Sequence, residues 1–208
     1  MPQYTSNPPL LEAEVDRDPI AQFRRWLDDA ASIGMIEPIA MTLATVDPDG
    51  RPSARVVLLK GLDPQGFAFY TNYQSRKGRA LAANPYAAAT FWWDRLERSV
   101  RIEGVTEKLT AAESEAYFRS RPQGSQVGAI TSRQSQVVAS RADLDARLAA
   151  NLATYASTPV PFDASAWGGY RLRPETIEFW QGRDNRSHDR LRYRRAADGG
   201  WIVERLEP

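Results

Sequence analysis

Three stretches of the chain gather side chains able to hold an anion or act on an aromatic ring. The first comprises Arg55-Val-Val-Leu-Leu-Lys60, Tyr70-Thr71-Asn72 and Ser75-Arg76-Lys77. A serine that opens a helix leaves backbone N–H groups free within a favourable dipole. Adjacent Arg and Lys add charge, a combination that suits a phosphate. On one unbroken strand Arg55 and Lys60 point to opposite faces, so they serve different ligands or the strand bends between them. Solvated basic residues at hairpin edges give the same pattern.

The second stretch is Tyr117-Phe-Arg-Ser-Arg121-Pro-Gln-Gly-Ser125. Tyr117 and Arg121 are four apart and share a helix face, and Pro122 ends that helix at Arg121. Ser125 is then expected to cap a new short helix. A hydroxyl, a guanidinium fork and a serine at a helix start make a phosphate clamp, or else a plain helix corner with an exposed arginine. The third is Trp180-Gln-Gly-Arg-Asp-Asn-Arg186-Ser-His188-Asp-Arg190, which holds the only histidine. An extended chain would line Arg186, His188 and Arg190 along one face, an arrangement that calls for an anionic or aromatic ligand. Gln134-Ser135 adds hydrogen-bonding groups, and Trp92 and Trp93 suit barrel filling or an interface.

The elements that must position these groups are punctuated clearly. Asp18, Pro19 and Gly34 bound a helix whose apolar stripe is Ile20, Phe23, Leu27 and Ala31. Short strands follow at Met41–Val46, Ser53–Lys60 and Phe67–Thr71, the first two joined by the turn Asp47-Pro-Asp-Gly50. Ser75 caps a short helix to Ala83, and Tyr86–Trp93 and Ser99–Leu109 read as longer strands. Thr110 and Glu113 form a capping box for a helix to Ser120, and Ser140 caps another to Tyr155. Strands return at Trp167–Leu172, Thr176–Gln181, Arg190–Arg195 and Trp201–Leu206. About eight closely spaced strands predict an α+β protein with an antiparallel barrel and flanking helices. Residues 1–17 read as a mobile arm and 18–208 as one domain.

Composition narrows the chemistry. In 208 residues, 27 basic against 26 acidic side chains give a net charge of +1, which disfavours a nucleic-acid partner. Only Lys60, Lys77 and Lys108 are lysines, all other cations being arginine. Absence of cysteine excludes disulfides and thiolate chemistry, and a single histidine excludes a multi-histidine metal centre. No apolar run reaches the roughly 18 residues of a membrane span, and the N-terminus lacks a signal-peptide layout, so the expected location is cytoplasmic.

In order and combination these segments resemble the pyridoxamine 5′-phosphate oxidases. The matching stretches are Arg-Val-Val-Leu-Leu-Lys, Phe-Tyr-Thr-Asn, Ser-Arg-Lys, Tyr-Phe-x-Ser-Arg-Pro, Trp-Gly-Gly-Tyr-Arg, Glu-Phe-Trp-Gln-Gly, Arg-Ser-His-Asp-Arg and the closing Arg-Leu-x-Pro, spread over residues 18–208. The resemblance implies a homodimeric FMN-binding split barrel with the flavin at the subunit interface. It also implies oxidation of pyridoxamine or pyridoxine 5′-phosphate to pyridoxal 5′-phosphate, with O₂ reduced to hydrogen peroxide. Carried over by position, FMN contacts fall to Arg55, Val56, Val57, Leu58, Leu59, Lys60, Tyr70, Thr71, Arg76, Lys77, Gln134, Ser135, Trp180 and Arg190. Lys60, Tyr117, Arg121 and Ser125 fall on the substrate phosphate, with Arg186 and His188 beside the pyridine ring as the catalytic pair. The flavin would carry the redox chemistry while the protein binds and orients.

This chain departs from the family pattern at three places. Ser99 stands where a flavin-contacting Gln is usual, Arg186-Ser187-His188 replaces Arg-Leu-His, and Tyr4 lacks the usual basic residue upstream. An oxidase of a phenazine-type intermediate and a non-catalytic flavin- or PLP-binding module are the alternatives. The full phosphate clamp argues against the first and the Arg186–His188 pair against the second.

Overall fold

A computed structural model describes residues 7–208, so Tyr4 lies outside the described residues. Helix α1 (Pro19–Ser32) begins where Asp18 accepts the Ile20 N–H and Pro19 occupies the first turn. Its buried stripe is Ile20, Phe23, Trp26 and Ala30, whereas Ala31 is exposed. That corrects the expected Leu27–Ala31 edge by one position, because the large indole of Trp26 takes the inward place.

Nine antiparallel strands follow: β1 (Ala40–Val46), β2 (Pro52–Leu58), β3 (Gly61–Asp63), β4 (Gly66–Asn72), β5 (Tyr86–Trp93), β6 (Arg98–Lys108), β7 (Trp167–Gln181), β8 (Asp189–Arg195) and β9 (Trp201–Arg205). They form one sheet in the order β2-β1-β5-β6-β7-β4-β3, with β8 added on β7 and β9 on β8. The sheet curls back on itself just after β2. There Leu59 N–H bonds the Ile39 carbonyl while Lys60 N–H bonds the Ala68 carbonyl, so consecutive residues join opposite flanks. This is the bend that separates Lys60 from the strand of Arg55.

The two strands expected at 167–172 and 176–181 are one, β7, and its two halves have different partners. Its first half pairs with β4 and its second with β8, while β6 spans both with a register shift between Glu103 and Gly104. The irregularity requires a glycine, since a Cβ at Gly104 would strike the Arg173 carbonyl. Pro174 pairs with Gly104 at this register shift and is accommodated there.

The curled sheet encloses Met41, Leu43, Phe67, Phe69, Phe91, Trp93, Ile102, Leu172, Ile177 and Phe179, all essentially inaccessible, with α1 plugging one end. Phe23 of α1 meets Phe67 and Phe91 edge-on, each at 4.9 Å between centroids, the favoured aromatic geometry. Trp93 belongs to this core and Trp92 is exposed on the opposite face, as strand alternation requires.

Four further helices flank the sheet: α2 (Arg76–Ala83), α3 (Ala111–Ser120), α4 (Gln123–Thr131) and α5 (Arg141–Thr154). Ser75, Thr110 with Glu113, and Ser140 cap α2, α3 and α5. Ser125 is not a cap. Pro122 stands at the start of α4, and the Ser125 N–H bonds the Pro122 carbonyl within the first turn. Phe118, Val127 and Val160 make a second small core beneath α3 and α4, against which Trp167 packs.

Residues 7–12 of the stretch expected as an arm lie against the domain. Gln181 Nε2 donates to Pro8 O, Arg183 Nη1 to Asn7 O and Arg205 Nη2 to Leu10 O, at 2.6–2.7 Å. No helix of the described residues is long and apolar enough to cross a membrane.

Candidate active site

The largest group of candidate residues surrounds a cavity of about 480 Å³. Val56, Val57 and Leu58 from β2, Lys60 from the bend, and Tyr70 and Thr71 from β4 form one wall. Lys77 of α2, Gln134, and Tyr117, Arg121 and Ser125 of the α3–α4 corner complete it. The sequence distance between these stretches is closed by β4, which carries Tyr70 to stack on Tyr117 at 3.8 Å.

At one end, Lys77 Nζ reaches Gln134 Oε1 at 2.8 Å and Thr71 Oγ1 at 3.1 Å, and the Thr71 hydroxyl also donates to Gln134 Oε1. Burial, and then the charge of Arg55, push the Lys77 ammonium down from 10.5 to about 8. The Arg55 guanidinium is itself lowered by burial and by Arg76, and it donates to Leu43 O, Thr45 Oγ1 and Ser53 Oγ. Arg76 binds Asp47 of the β1–β2 turn at 2.5 Å, and its backbone N–H donates to Ser135 Oγ. Ser135 adopts a left-handed conformation (φ 73°) to make that contact. Lys77 and Arg55 each lose basicity to burial and a neighbouring cation, while Arg76 is paired with Asp47; three cations beside hydroxyl and amide groups have a chemistry that fits a phosphate monoester.

At the other end sits Arg121. Its guanidinium lies 5.1 Å from the centroid of Trp167, and Nη1 is buried with no hydrogen-bond partner. Burial lowers its pKa, and no carboxylate is among the causes. A buried guanidinium nitrogen lacking a partner is costly unless an anion meets it. Asn72 of the first stretch lines the cavity too, as do Trp167, Gly128, Ala129 and Ser132, which held no place among the candidate residues. Only Trp167 left a signal, as an aromatic just before Gly168-Gly169.

Ser99, Trp180 and Arg190 are elsewhere. They line a second cavity on the exposed face of β5–β8, together with Thr90, Trp92, Arg101, Glu178 and Pro208. Glu178, buried although charged, holds Arg190 at 2.8 Å and Arg101 at 2.6 Å. Its bond to Arg190 is the main cause that raises the arginine's pKa. Strand alternation from Trp180 could have pointed to Glu178. The two cavities share no lining residue. Leu59 points into neither; its side chain is buried in the core.

Arg186 and His188 do not continue the β8 face as expected. Residues 184–186 form a single 3₁₀ turn, with Asn185 and Arg186 left-handed (φ 55° and 62°), and the strand starts only at Asp189. The turn lets Ser187 N–H bond Asp184 O, which exposes Arg186 and brings His188 against Trp180, 4.6 Å between ring centroids. A left-handed arginine is a strained choice of the kind concentrated at functional turns.

A curled antiparallel sheet bearing a cationic cavity and a tryptophan–arginine face is the architecture of the FMN-binding split barrels. Residues 27–154 match the pyridoxamine 5′-phosphate oxidase family model, and residues 167–208 match the pyridoxine 5′-phosphate oxidase C-terminal dimerisation region. The chain is 60% identical over 200 residues to a pyridoxine/pyridoxamine 5′-phosphate oxidase of Thermosynechococcus vestitus, covering 96% of this chain and 93% of that one. It is 57% identical over 196 residues to pyridoxine/pyridoxamine 5′-phosphate oxidase 1 of Ralstonia nicotianae, covering 94% and 92%. Among solved structures, PhzG from Burkholderia lata 383, in complex with tetrahydrophenazine-1-carboxylic acid, superposes with a TM-score of 0.89 at 32% identity, covering 96% and 98%. The chain belongs to the pyridoxamine 5′-phosphate oxidase family. It is accordingly an oxidoreductase with FMN as cofactor, and its C-terminal region is the one through which the family dimerises.

Proposed function

We propose that the chain oxidises pyridoxamine and pyridoxine 5′-phosphate to pyridoxal 5′-phosphate. The observation that carries this reading is Arg121, a half-buried cation that lines the cavity with Lys60, Tyr117 and Ser125 and whose Nη1 no protein group meets. These four side chains bind the substrate phosphate. Holding that remote group fixes the reacting carbon, so binding energy is converted into orientation. Arg186 and His188 orient the pyridine ring.

FMN, when bound, supplies the two-electron acceptor, with O₂ as the final oxidant and hydrogen peroxide as the by-product. Its phosphate end suits Arg55, Arg76, Lys77 and Ser135, with Gln134 and Thr71 alongside. Val56, Val57, Leu58, Leu59, Lys60 and Tyr70 flank it, the buried Leu59 through its backbone. Ser99, Trp180 and Arg190 belong to the same flavin site but line a different cavity of one protomer. In our reading they reach it from the partner subunit, so the flavin lies at the dimer interface. The exposed Trp92 and Val56 are then covered by that contact. A cytoplasmic location belongs to the same reading, because phosphorylated substrates do not cross membranes unaided.

The test is anaerobic addition of pyridoxamine 5′-phosphate to the yellow protein, which should bleach the flavin and release stoichiometric pyridoxal 5′-phosphate. Tetrahydrophenazine-1-carboxylic acid is the control substrate, because it offers Arg121 a carboxylate in place of a phosphate dianion. Bleaching by that compound alone would overturn the assignment. The interface is tested by mixing two impaired variants, Arg121→Ala and Arg190→Ala, under subunit exchange. Heterodimers should regain one intact site with wild-type KM, whereas sites contained within single protomers would all stay impaired.

A further inference from the structure

We propose that the backbone N–H of Arg183 holds His188 as the tautomer protonated on Nε2, making the histidine a hydrogen-bond donor at the ring rather than a proton acceptor. Arg183 N lies 3.1 Å from His188 Nδ1. A peptide N–H can only donate, so Nδ1 must present its lone pair, and a neutral imidazole then carries its proton on Nε2. Protonating Nδ1 would set two N–H groups against each other and break the contact.

The local fold builds this contact deliberately. Arg183 is extended (φ −142°, ψ 159°), and the left-handed pair Asn185–Arg186 folds the chain back within five residues. Both ends of the turn are tied down. Gly182 N–H bonds the Glu97 carbonyl, Arg183 Nη1 bonds Asn7 O, and Asp189 accepts from Leu10 N–H and Arg205 Nη1. Trp180 packs against the imidazole at an interplanar angle of 44°. The ring therefore has its plane set by an indole and its rotation set by an amide. Arg183, absent from the candidate residues, acts here through its main chain as a positioning residue.

The consequence for chemistry rests on the proposed function. A donor beside the pyridine ring recognises an acceptor there, an oxygen substituent or its anion, and cannot take a proton from the substrate through Nδ1. His188 then selects the ring and orients it, leaving proton removal to other groups.

Because His188 is the only histidine, ¹⁵N-histidine labelling gives a single imidazole to observe by long-range ¹H–¹⁵N correlation. At about pH 8 the expected spectrum shows a protonated Nε2 and an unprotonated Nδ1, with or without FMN. A protonated Nδ1, or averaging between tautomers, would overturn the proposal. The second arm uses reconstituted holoenzyme and titration with pyridoxal 5′-phosphate. His188→Gln keeps an N–H near the Nε2 position and should bind within roughly threefold of wild type. His188→Asn places its amide near Nδ1 and should lose roughly 10- to 150-fold. Equal losses in both would show that the donor position is immaterial and would overturn the role at the ring. Failure of the oxidase assay with the expected ¹⁵N pattern would instead refute the substrate, not the tautomer.

Discussion

Arg121 is held by a ring and by no carboxylate: its guanidinium lies 5.1 Å from the Trp167 centroid. The Phe118 ring is farther, at 6.0 Å. An aromatic platform fixes a guanidinium without consuming its N–H groups, which leaves them directed at an incoming anion. Many other arginines of the chain, among them Arg98, Arg171 and Arg190, spend their donors on carboxylates.

This relationship makes a graded prediction. Arg121→Ala removes a charge-assisted contact of about 1.5–3 kcal/mol, so the apparent KM for pyridoxamine 5′-phosphate should rise roughly 10- to 150-fold. Trp167→Leu removes the platform but keeps the charge; the cation–ring contact is worth about 0.5–2 kcal/mol, so KM should rise by roughly 2- to 30-fold, with Trp167→Phe in between. FMN affinity should hold in all three. Loss of flavin with unchanged KM would show that Arg121 serves the cofactor instead.

Lys77 supplies a pH signature. Its pKa is pushed down from 10.5 to about 8 by burial, then by Arg55. Between those values the unfolded chain binds more protons than the folded one, so stability of the flavin-free protein should rise with pH across that window. Affinity for a phosphate monoester should move the opposite way, falling as Lys77 loses its charge above about pH 8. Lys77→Met should abolish both trends. Thermal melts and FMN titrations from pH 7 to 10 give the two signs separately, and parallel slopes would exclude Lys77 as their source.

Arg186 and His188 sit on a turn remote in contact from the phosphate clamp, and their loss should affect the reaction more than binding of the cofactor. Arg186→Ala and His188→Ala should each slow flavin reduction in anaerobic single-turnover experiments while the protein stays yellow. Wild-type reduction rates in both would mean that the turn only closes the β7–β8 connection.

Features encoded by neighbours in the chain were legible. Ser75, Thr110 with Glu113, and Ser140 are caps because each side chain bonds an N–H within three residues. Strand β5 was read to the residue because its alternation reports one buried face. What escaped depends on partners far away. The continuity of β7 past Pro174 needs the β6 bulge opposite, and the left-handed Arg186 has no signature in its own side chain. Splitting of the site between two cavities reflects the sheet order, which places Trp180 and Arg190 on β7–β8 and Thr71 on β4. The platform role of Trp167 likewise exists only once α3 delivers Arg121 above it.

Ser99 offers the last test, because it faces the second cavity where the family resemblance leads one to expect a Gln. It pairs across the sheet with Trp180 on one side and Trp92 on the other, so a longer side chain there has the open cavity to extend into. Gln brings both a donor and an acceptor to a flavin, whereas Ser brings one hydroxyl on a shorter stem. A water bridging the difference would recover most of the contact. The most that Ser99→Gln can add is one neutral hydrogen bond, about 0.5–1.5 kcal/mol, so FMN affinity should tighten by no more than roughly 2- to 13-fold. In the proposed site the charged groups Arg55, Arg76, Lys77 and Arg190 should keep the cofactor in either case, and the substrate oxidised should be unchanged. FMN titration of the apoprotein measures this directly. A change of several hundred-fold in either direction would give Ser99 a part in flavin binding beyond a single hydrogen bond.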